Sequence, residues 1–179
     1  MAALGVFDPP PQSICEIGPG SGRYLERVIA RSHPAHCEIY ETAAEWREWL
    51  VEQHGVVAKK CDGRTLCETA SASIALVQSH KLFPAPPFLV TVSYFQEMAR
   101  VVQPKGWVVF DIVSERCFSP KHMQAWFEAD TWSWPWSPHL FSRHFAVKFF
   151  ADRGISLLGS FLVPLFPGVT ECLVFRKTN

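Results

Sequence analysis

The stretch Ser13-Ile14-Cys15-Glu16-Ile17-Gly18-Pro19-Gly20-Ser21-Gly22-Arg23 constrains this chain more than any other. Ile14 to Ile17 reads as a short buried parallel strand. Three glycines follow at alternate positions, and Tyr24 to Ile29 then reads as a helix. Strand, glycine loop and helix in that order bring the backbone of an α/β protein close to a nucleotide-like ligand. Glycine serves there because it turns at positive φ and has no Cβ to hold the ligand away. In the dinucleotide fingerprint G-x-G-x-x-G the third glycine sits in the first helical turn, a place held here by Arg23. The third glycine, Gly22, comes one residue early, and Glu16 precedes the loop inside the strand. An ordinary glycine-rich turn is the alternative, and the remaining chain must decide.

The pattern downstream alternates strands and helices. His36 to Glu41 reads as a second strand ending in an acid. Ala43 to Gln53 reads as an amphipathic helix with Trp46, Trp49, Leu50 and Gln53 on its apolar face, stopped by His54-Gly55. Val56 to Lys60 reads as a third strand, followed by Cys61-Asp62-Gly63. Ser73 to Gln78 reads as a fourth, continuing into Ser79-His80-Lys81. Phe88, Val92, Phe95, Ala99 and Val102 then recur at helical spacing, ended by Pro104-Lys105-Gly106. Trp107 to Val113 is a near-continuous apolar run suited to the middle of a parallel sheet. Helices over 119–129 and 141–152, and strands over 155–163 and 170–176, complete the order. There is no internal repeat or low-complexity linker, which predicts a doubly wound sheet.

Two stretches together carry a family resemblance. Glu16-Ile17-Gly18-Pro19-Gly20-Ser21-Gly22 resembles the first motif, E-x-G-x-G-x-G, of the class I S-adenosylmethionine-dependent methyltransferases, with the small-molecule type as the nearer match. Tyr94 to Asp111 looks like their helix, Pro-x-Gly turn and fifth strand, with Lys105 where the first glycine of that turn is usual. The resemblance covers about residues 13–115 by motif and the rest by element order. It implies a Rossmann-like, mostly parallel seven-stranded sheet of order 3-2-1-4-5-7-6 closed by an antiparallel hairpin, with helices on both faces. It also implies S-adenosyl-L-methionine as cofactor and S-adenosyl-L-homocysteine as product. Carried onto this sequence, the cofactor-binding residues are Glu16, Gly18, Pro19, Gly20, Gly22, Glu41, Thr42, Asp62, Gly63 and Gln78. Glu41 would accept the ribose hydroxyls, since a carboxylate satisfies two adjacent hydroxyls at once; a helix N-terminal acid is the alternative. Asp62 would approach the adenine amine; an Asp-Gly turn is its alternative.

Composition removes several other classes. The chain has 179 residues, 48% of them apolar and 19% charged, which suits one globular unit. Its 17 basic and 17 acidic side chains give no net charge, and no run of like charge offers a footprint for nucleic acid or an anionic membrane. The most apolar late stretch, residues 155–169, is broken by Pro164 and Pro167 and is too short to span a bilayer. No signal sequence opens the chain. The six cysteines form no C-x-x-C, which reads as reduced thiols in a cytoplasmic protein with no metal site.

Methyl transfer from a sulfonium asks the protein for positioning, water exclusion and, for a hydroxyl acceptor, proton removal. His80, just past the fourth strand, is the candidate base; a structural histidine at the rim is the alternative. His80, His139 and the tryptophans Trp132, Trp134 and Trp136 are the candidate acceptor contacts, the tryptophans as a wall or lid. His144 is a weaker candidate base, and Arg23 either pairs with the methionine carboxylate or is solvated. The absence of an Asp/Asn-Pro-Pro-aromatic tetrad after the fourth strand argues against adenine and glutamine acceptors. A small-molecule O-methyltransferase is the expectation. A catalytically silent, methyltransferase-like binding protein is the alternative, and a nucleotide-dependent oxidoreductase the third. Residues 1–12 read as a short N-terminal segment and 13–179 as one methyltransferase-like domain. The family usually has a closing lid before its first strand, which twelve residues do not supply. The chain is then a fragment, or a homodimer partner, another covering partner or the tryptophan loop covers the site.

Overall fold

Five parallel strands and an antiparallel closing pair form one seven-stranded sheet of order β3-β2-β1-β4-β5-β7-β6 in the computed structural model, which describes residues 1–130 and 139–178. The strands are β1 (Ser13–Ile17), β2 (His36–Tyr40), β3 (Val57–Ala58), β4 (Ile74–Ser79), β5 (Val102–Ile112), β6 (Ile155–Leu165) and β7 (Gly168–Lys177). The helices are α1 (Arg23–Ser32), α2 (Ala44–His54), α3 (Phe88–Val101), α4 (Pro120–Glu128) and α5 (Arg143–Ala151). This is the expected fold class, and the order reverses between β1 and β4, where such sheets open a crevice for ligands.

The two faces of the sheet differ in chemistry. On one, α3 and α5 pack an aromatic core in which Phe95 lies 4.6 Å from Phe110 and Phe150 lies 4.8 Å from Phe175, ring to ring. Each such pair adds about 0.5–1.5 kcal/mol beyond area burial. On the other face, Val28 of α1 joins Ile14, Leu76, Val109 and Val174, and the N-terminal residues Met1, Leu4, Val6 and Phe7 lie against this layer. Leu25 and Leu50 tie α1 to α2 over Ile39.

Three local expectations are corrected. Helix α2 buries only Leu50; Trp46 and Trp49 are exposed and meet edge to face at 5.8 Å, and Gln53 is exposed too. The cause is its seat at the edge of the sheet, beside a β3 of only two residues rather than the five expected, so there is little surface to cover. Helix α3 turns Thr91, Tyr94, Phe95, Met98 and Val101 inward, while Phe88 is half exposed, because the helix is rotated to bring Glu97 and Arg100 over the loop before β4. Finally, no turn separates α3 from β5. Val102 already pairs with Ile74, residues 103–106 bulge, and Trp107 resumes pairing at Leu76. Lys105 sits at φ 59° within that bulge, the conformation glycine adopts without strain.

Candidate functional site

The glycine loop closes the C-terminal end of β1. Gly18 N donates to Tyr40 O at 2.8 Å and Gly22 N to Pro19 O at 2.9 Å, so the loop is tied to β2 and to itself. Gly18, Gly20 and Gly22 all have positive φ, but space is limiting at only two of them. A Cβ on Gly18 would lie 3.1 Å from Leu82, and one on Gly22 only 2.5 Å from Leu50. At Gly20 nothing among the described residues lies within 4 Å, so that face of the loop opens into a cleft of about 400 Å³ lined by Gly18, Pro19, Gly20, Ser21, Tyr24 and His80 among others. Arg23 also borders this cleft.

Glu41 is the joint between the loop and the second strand. Its Oε2 accepts from Gly20 N at 3.0 Å and its Oε1 from Ala43 N at 2.9 Å. Oε1 also takes the Thr42 hydroxyl at 3.5 Å, so the second lone pair that stays open is on Oε2. The carboxylate thus fixes the loop while keeping acceptor capacity beside it. Gly63, after β3, comes to Thr42: a Cβ there would meet the Thr42 methyl at 3.9 Å.

Beneath the loop, Glu16 and Gln78 sit opposite each other on β1 and β4, sealed from solvent. Gln78 Nε2 donates to Glu16 Oε2 at 2.7 Å. Burial pushes the Glu16 carboxyl up to about 8, against the lowering effect of the Gln78 bond. Both residues are buried beneath the loop, and neither is among the described residues that line the cleft.

Asp62 is exposed and caps its own turn, accepting from Arg64 N at 2.9 Å, Thr65 N at 2.7 Å and Thr65 Oγ1 at 2.8 Å. The Asp-Gly turn, left open by the sequence, is therefore present. Its loop is clamped from α3. Arg100 donates to Leu66 O and Thr69 O at 2.9 and 2.8 Å, and Glu97 accepts from Leu66 N at 2.9 Å while pairing with Arg100 at 2.7 Å. The hydrogen bond from Arg100 holds the Glu97 carboxyl below its ordinary value. The E-φ-x-R pattern in α3 thus positions the loop that carries Asp62 and Gly63.

His80 follows β4 and stacks on Tyr24, ring centroids 4.5 Å apart at 29°. Its Nε2 is sealed and has no hydrogen-bond partner among the described residues. Burial lowers its imidazole to about 4, against the raising effect of Asp111. Next to it, Lys81 has φ 63°, with its N–H held by Asp111 Oδ1 at 2.6 Å and its Nζ 2.6 Å from Thr170 Oγ1 and 3.2 Å from Asp111 Oδ2. This buried cluster sets the turn that presents His80. His80 and Tyr24 also line a second cleft, of about 650 Å³, on the other side.

His139 is exposed, with its N–H bonded to Pro84 O at 2.8 Å, and His144 is exposed on α5. Trp132, Trp134 and Trp136 lie outside the described residues. No sequence signal joins Asp111, Thr170 and Lys81 as a unit, because they come from three separate elements. Tyr24 was readable only as a helical residue, although its place in the first turn of α1 puts it at the mouth of the cleft. Among the described residues no group of acids, histidines and cysteines is arranged to hold a metal ion, all six cysteines are free thiols, and no helix is long and apolar enough to cross a membrane.

No family model and no curated protein matches the sequence. Solved structures do match the fold. The N-methyltransferase NodS from Bradyrhizobium japonicum aligns over 99% of this chain and 92% of its own, with a TM-score of 0.70 at 10% identity. An S-adenosylmethionine-dependent methyltransferase from Mesorhizobium loti aligns over 98% and 96%, with 0.71 at 12%. The 1,6-didemethyltoxoflavin-N1-methyltransferase of Burkholderia thailandensis, solved with 1,6-didemethyltoxoflavin and S-adenosylhomocysteine, aligns over 99% and 76%, with 0.69 at 13%. Together with the strand order, these likenesses establish that the chain has the class I methyltransferase fold.

Proposed function

We propose that this protein is an S-adenosylmethionine-dependent methyltransferase acting on a small molecule, with oxygen as the methylated atom. The observation that carries the reading is the bond from Gly20 N to Glu41 at the switch point of the sheet, beside a loop face that is open at Gly20. A nucleoside fits that arrangement: Glu41 Oε2 keeps a lone pair for a ribose hydroxyl, and Gly63 comes near Thr42, toward where the base would lie. The structural neighbours include N- and O-methyltransferases, one of them solved with its small-molecule ligand, which supports the acceptor class.

When bound, the cofactor supplies a methyl group on a sulfonium already activated for displacement. Its transfer to an acceptor oxygen would leave the electron pair of the broken carbon–sulfur bond on sulfur and set free the acceptor's proton. The chain positions the two partners and excludes water. His80, neutral at physiological pH and on the lining of the cleft, accepts the hydroxyl proton through its imidazole on the side away from the sealed Nε2; its low basicity suits a hydroxyl that loses its proton late or an oxygen that is already ionised. Gly18, Pro19, Gly20 and Gly22 would hold the amino-acid end of the cofactor, and Asp62 would lie on its adenine side. Binding without turnover is the second reading, favoured by that same low basicity.

Titration calorimetry with S-adenosylhomocysteine and with NAD tests the cofactor. Micromolar binding of the first and none of the second is expected; binding of NAD alone would overturn the assignment. Transfer of labelled methyl to an acceptor panel then separates an enzyme from a silent binder, and size-exclusion chromatography tests the homodimer.

A further inference from the structure

The second cleft has its own chemistry. It lies between α1, the N-terminal segment and β6, and is lined by Phe7, Tyr24, Val28 and Phe161 with Arg27 and Arg31 at its edge. No carboxylate among the described residues lines it. Arg27 and Arg31 are one helical turn apart and make no ion pair among the described residues. Arg31 instead lies 5.1 Å from the Phe7 ring centre. The acid behind the Tyr24–His80 wall, Asp111, is buried and committed to Lys81 and Thr170. Two uncompensated guanidinium groups therefore face an apolar space large enough for a drug-sized molecule. Guanidinium is the cation best matched to a planar or tetrahedral anion, since it can donate two parallel hydrogen bonds.

We propose that this cleft is the acceptor site and that its occupant is a small, soluble anionic amphiphile: an aromatic or aliphatic body carrying a carboxylate or phosphate. Charge complementarity selects the occupant: the apolar walls take the body, and Arg27 and Arg31 take the anion. Tyr24 and His80 form the wall shared with the glycine-loop cleft, so a molecule seated here has one end beside that loop. The assignment as acceptor rests on the methyltransferase reading; the anion-binding cleft does not.

The test is calorimetry on the full chain with 4-hydroxybenzoate and laurate, against their neutral counterparts 4-hydroxybenzamide and dodecanol. The anionic members are expected to bind at least tenfold more tightly. The double variant Arg27→Gln/Arg31→Gln should erase that difference, as should Ala30→Glu, which adds a negative charge on the same lining. S-adenosylhomocysteine affinity should stay unchanged in both variants, which also shows that they are folded. Equal binding of the charged and neutral members, no binding by any of the four, or an anion preference that survives both variants would overturn the proposal. Anion binding that follows these residues in a chain that ignores S-adenosylhomocysteine would leave the anion site standing and remove the methyltransferase reading alone.

Discussion

Gln78 Nε2 reaches across from β4 to Glu16 Oε2 on β1 at 2.7 Å, in a layer closed to solvent beneath the glycine loop. A carboxyl raised to about 8 there is protonated in the folded chain at neutral pH. It then has an O–H to give, and Gln78 Oε1 is the neighbouring acceptor that lacks a donor. Unfolding releases that proton above the ordinary carboxylate range, so the pair's contribution to stability falls as pH rises toward 8, by at most about 1.4 kcal/mol per pH unit. His80, lowered to about 4, works the other way but only below its unfolded value of 6.5. From pH 6.5 to 8 the Met1 ammonium, lowered from 8.0 by burial, adds a small rise with pH, so the difference between the native chain and Glu16→Gln is what isolates Glu16. Urea midpoints of the native chain should fall across that range relative to those of Glu16→Gln; parallel profiles for the two chains would refute the raised carboxyl.

Glu41→Ala should weaken S-adenosylhomocysteine binding by roughly 10- to 100-fold, the worth of about 1.5–3 kcal/mol for hydrogen bonds to a charged group. The same change frees Gly20 N and Ala43 N, which Glu41 holds. Glu41→Gln keeps an acceptor for one of these amides and should fall between the two. Calorimetry on all three chains orders them.

Two glycines of the loop should respond differently to alanine. Gly22→Ala forces a Cβ to within 2.5 Å of Leu50 at φ 72° and should lower stability by about 2–4 kcal/mol, the sum of overpacking and backbone strain. Gly20→Ala meets only the strain, about 1–2 kcal/mol, because its surroundings are open. Its main effect should be on the ligand that approaches that face. Thermal melts paired with binding curves separate the two losses.

Arg100→Ala removes the clamp on the loop before β4. A drop of about 2–3 kcal/mol in stability is expected, since Leu66 O, Thr69 O, Ser71 Oγ and both Glu97 carboxylate oxygens lose a charged donor. Hydrogen exchange should rise at Leu66 and Thr69, whose N–H groups bond to Glu97 and within this loop. Exchange rates that stay at the native level would show that the loop holds without α3.

Lys105→Gly should stabilise. Relieving φ 59° returns about 1–2 kcal/mol, offset by about 0.5–1 for the greater freedom of glycine in the unfolded chain. A net gain near 0.5–1 kcal/mol is expected by denaturant titration. Gly106 beside it cannot be exchanged in return, because a Cβ there would lie 2.7 Å from Val102 and 2.8 Å from Gln103 O.

Much of the site was legible because its signals are local. Gly18, Gly20 and Gly22 announce positive φ through their spacing, and Glu41 announces itself by ending an apolar strand at a set distance from them. What escaped was non-local. Trp46 and Trp49 follow the helical period of a buried face, yet they lie exposed, because periodicity states which residues share a face and not whether anything covers it. Glu97 and Arg100 read only as residues off the apolar face until α3 is laid over the loop they hold.

From the sequence alone came the alternation of strands and helices, the glycine loop, the acid after β2 and the closing hairpin, all set by residues within one turn or one strand of each other. Tertiary structure alone decided the burial that makes Glu16 a neutral acid and His80 a weak base. It also joined Asp111, Lys81 and Thr170 behind His80, and gave α1 a cleft edged by arginines without ion-pair partners among the described residues. Those properties depend on how far each group is removed from water and which charges stand beside it, and both are fixed only when distant segments pack together.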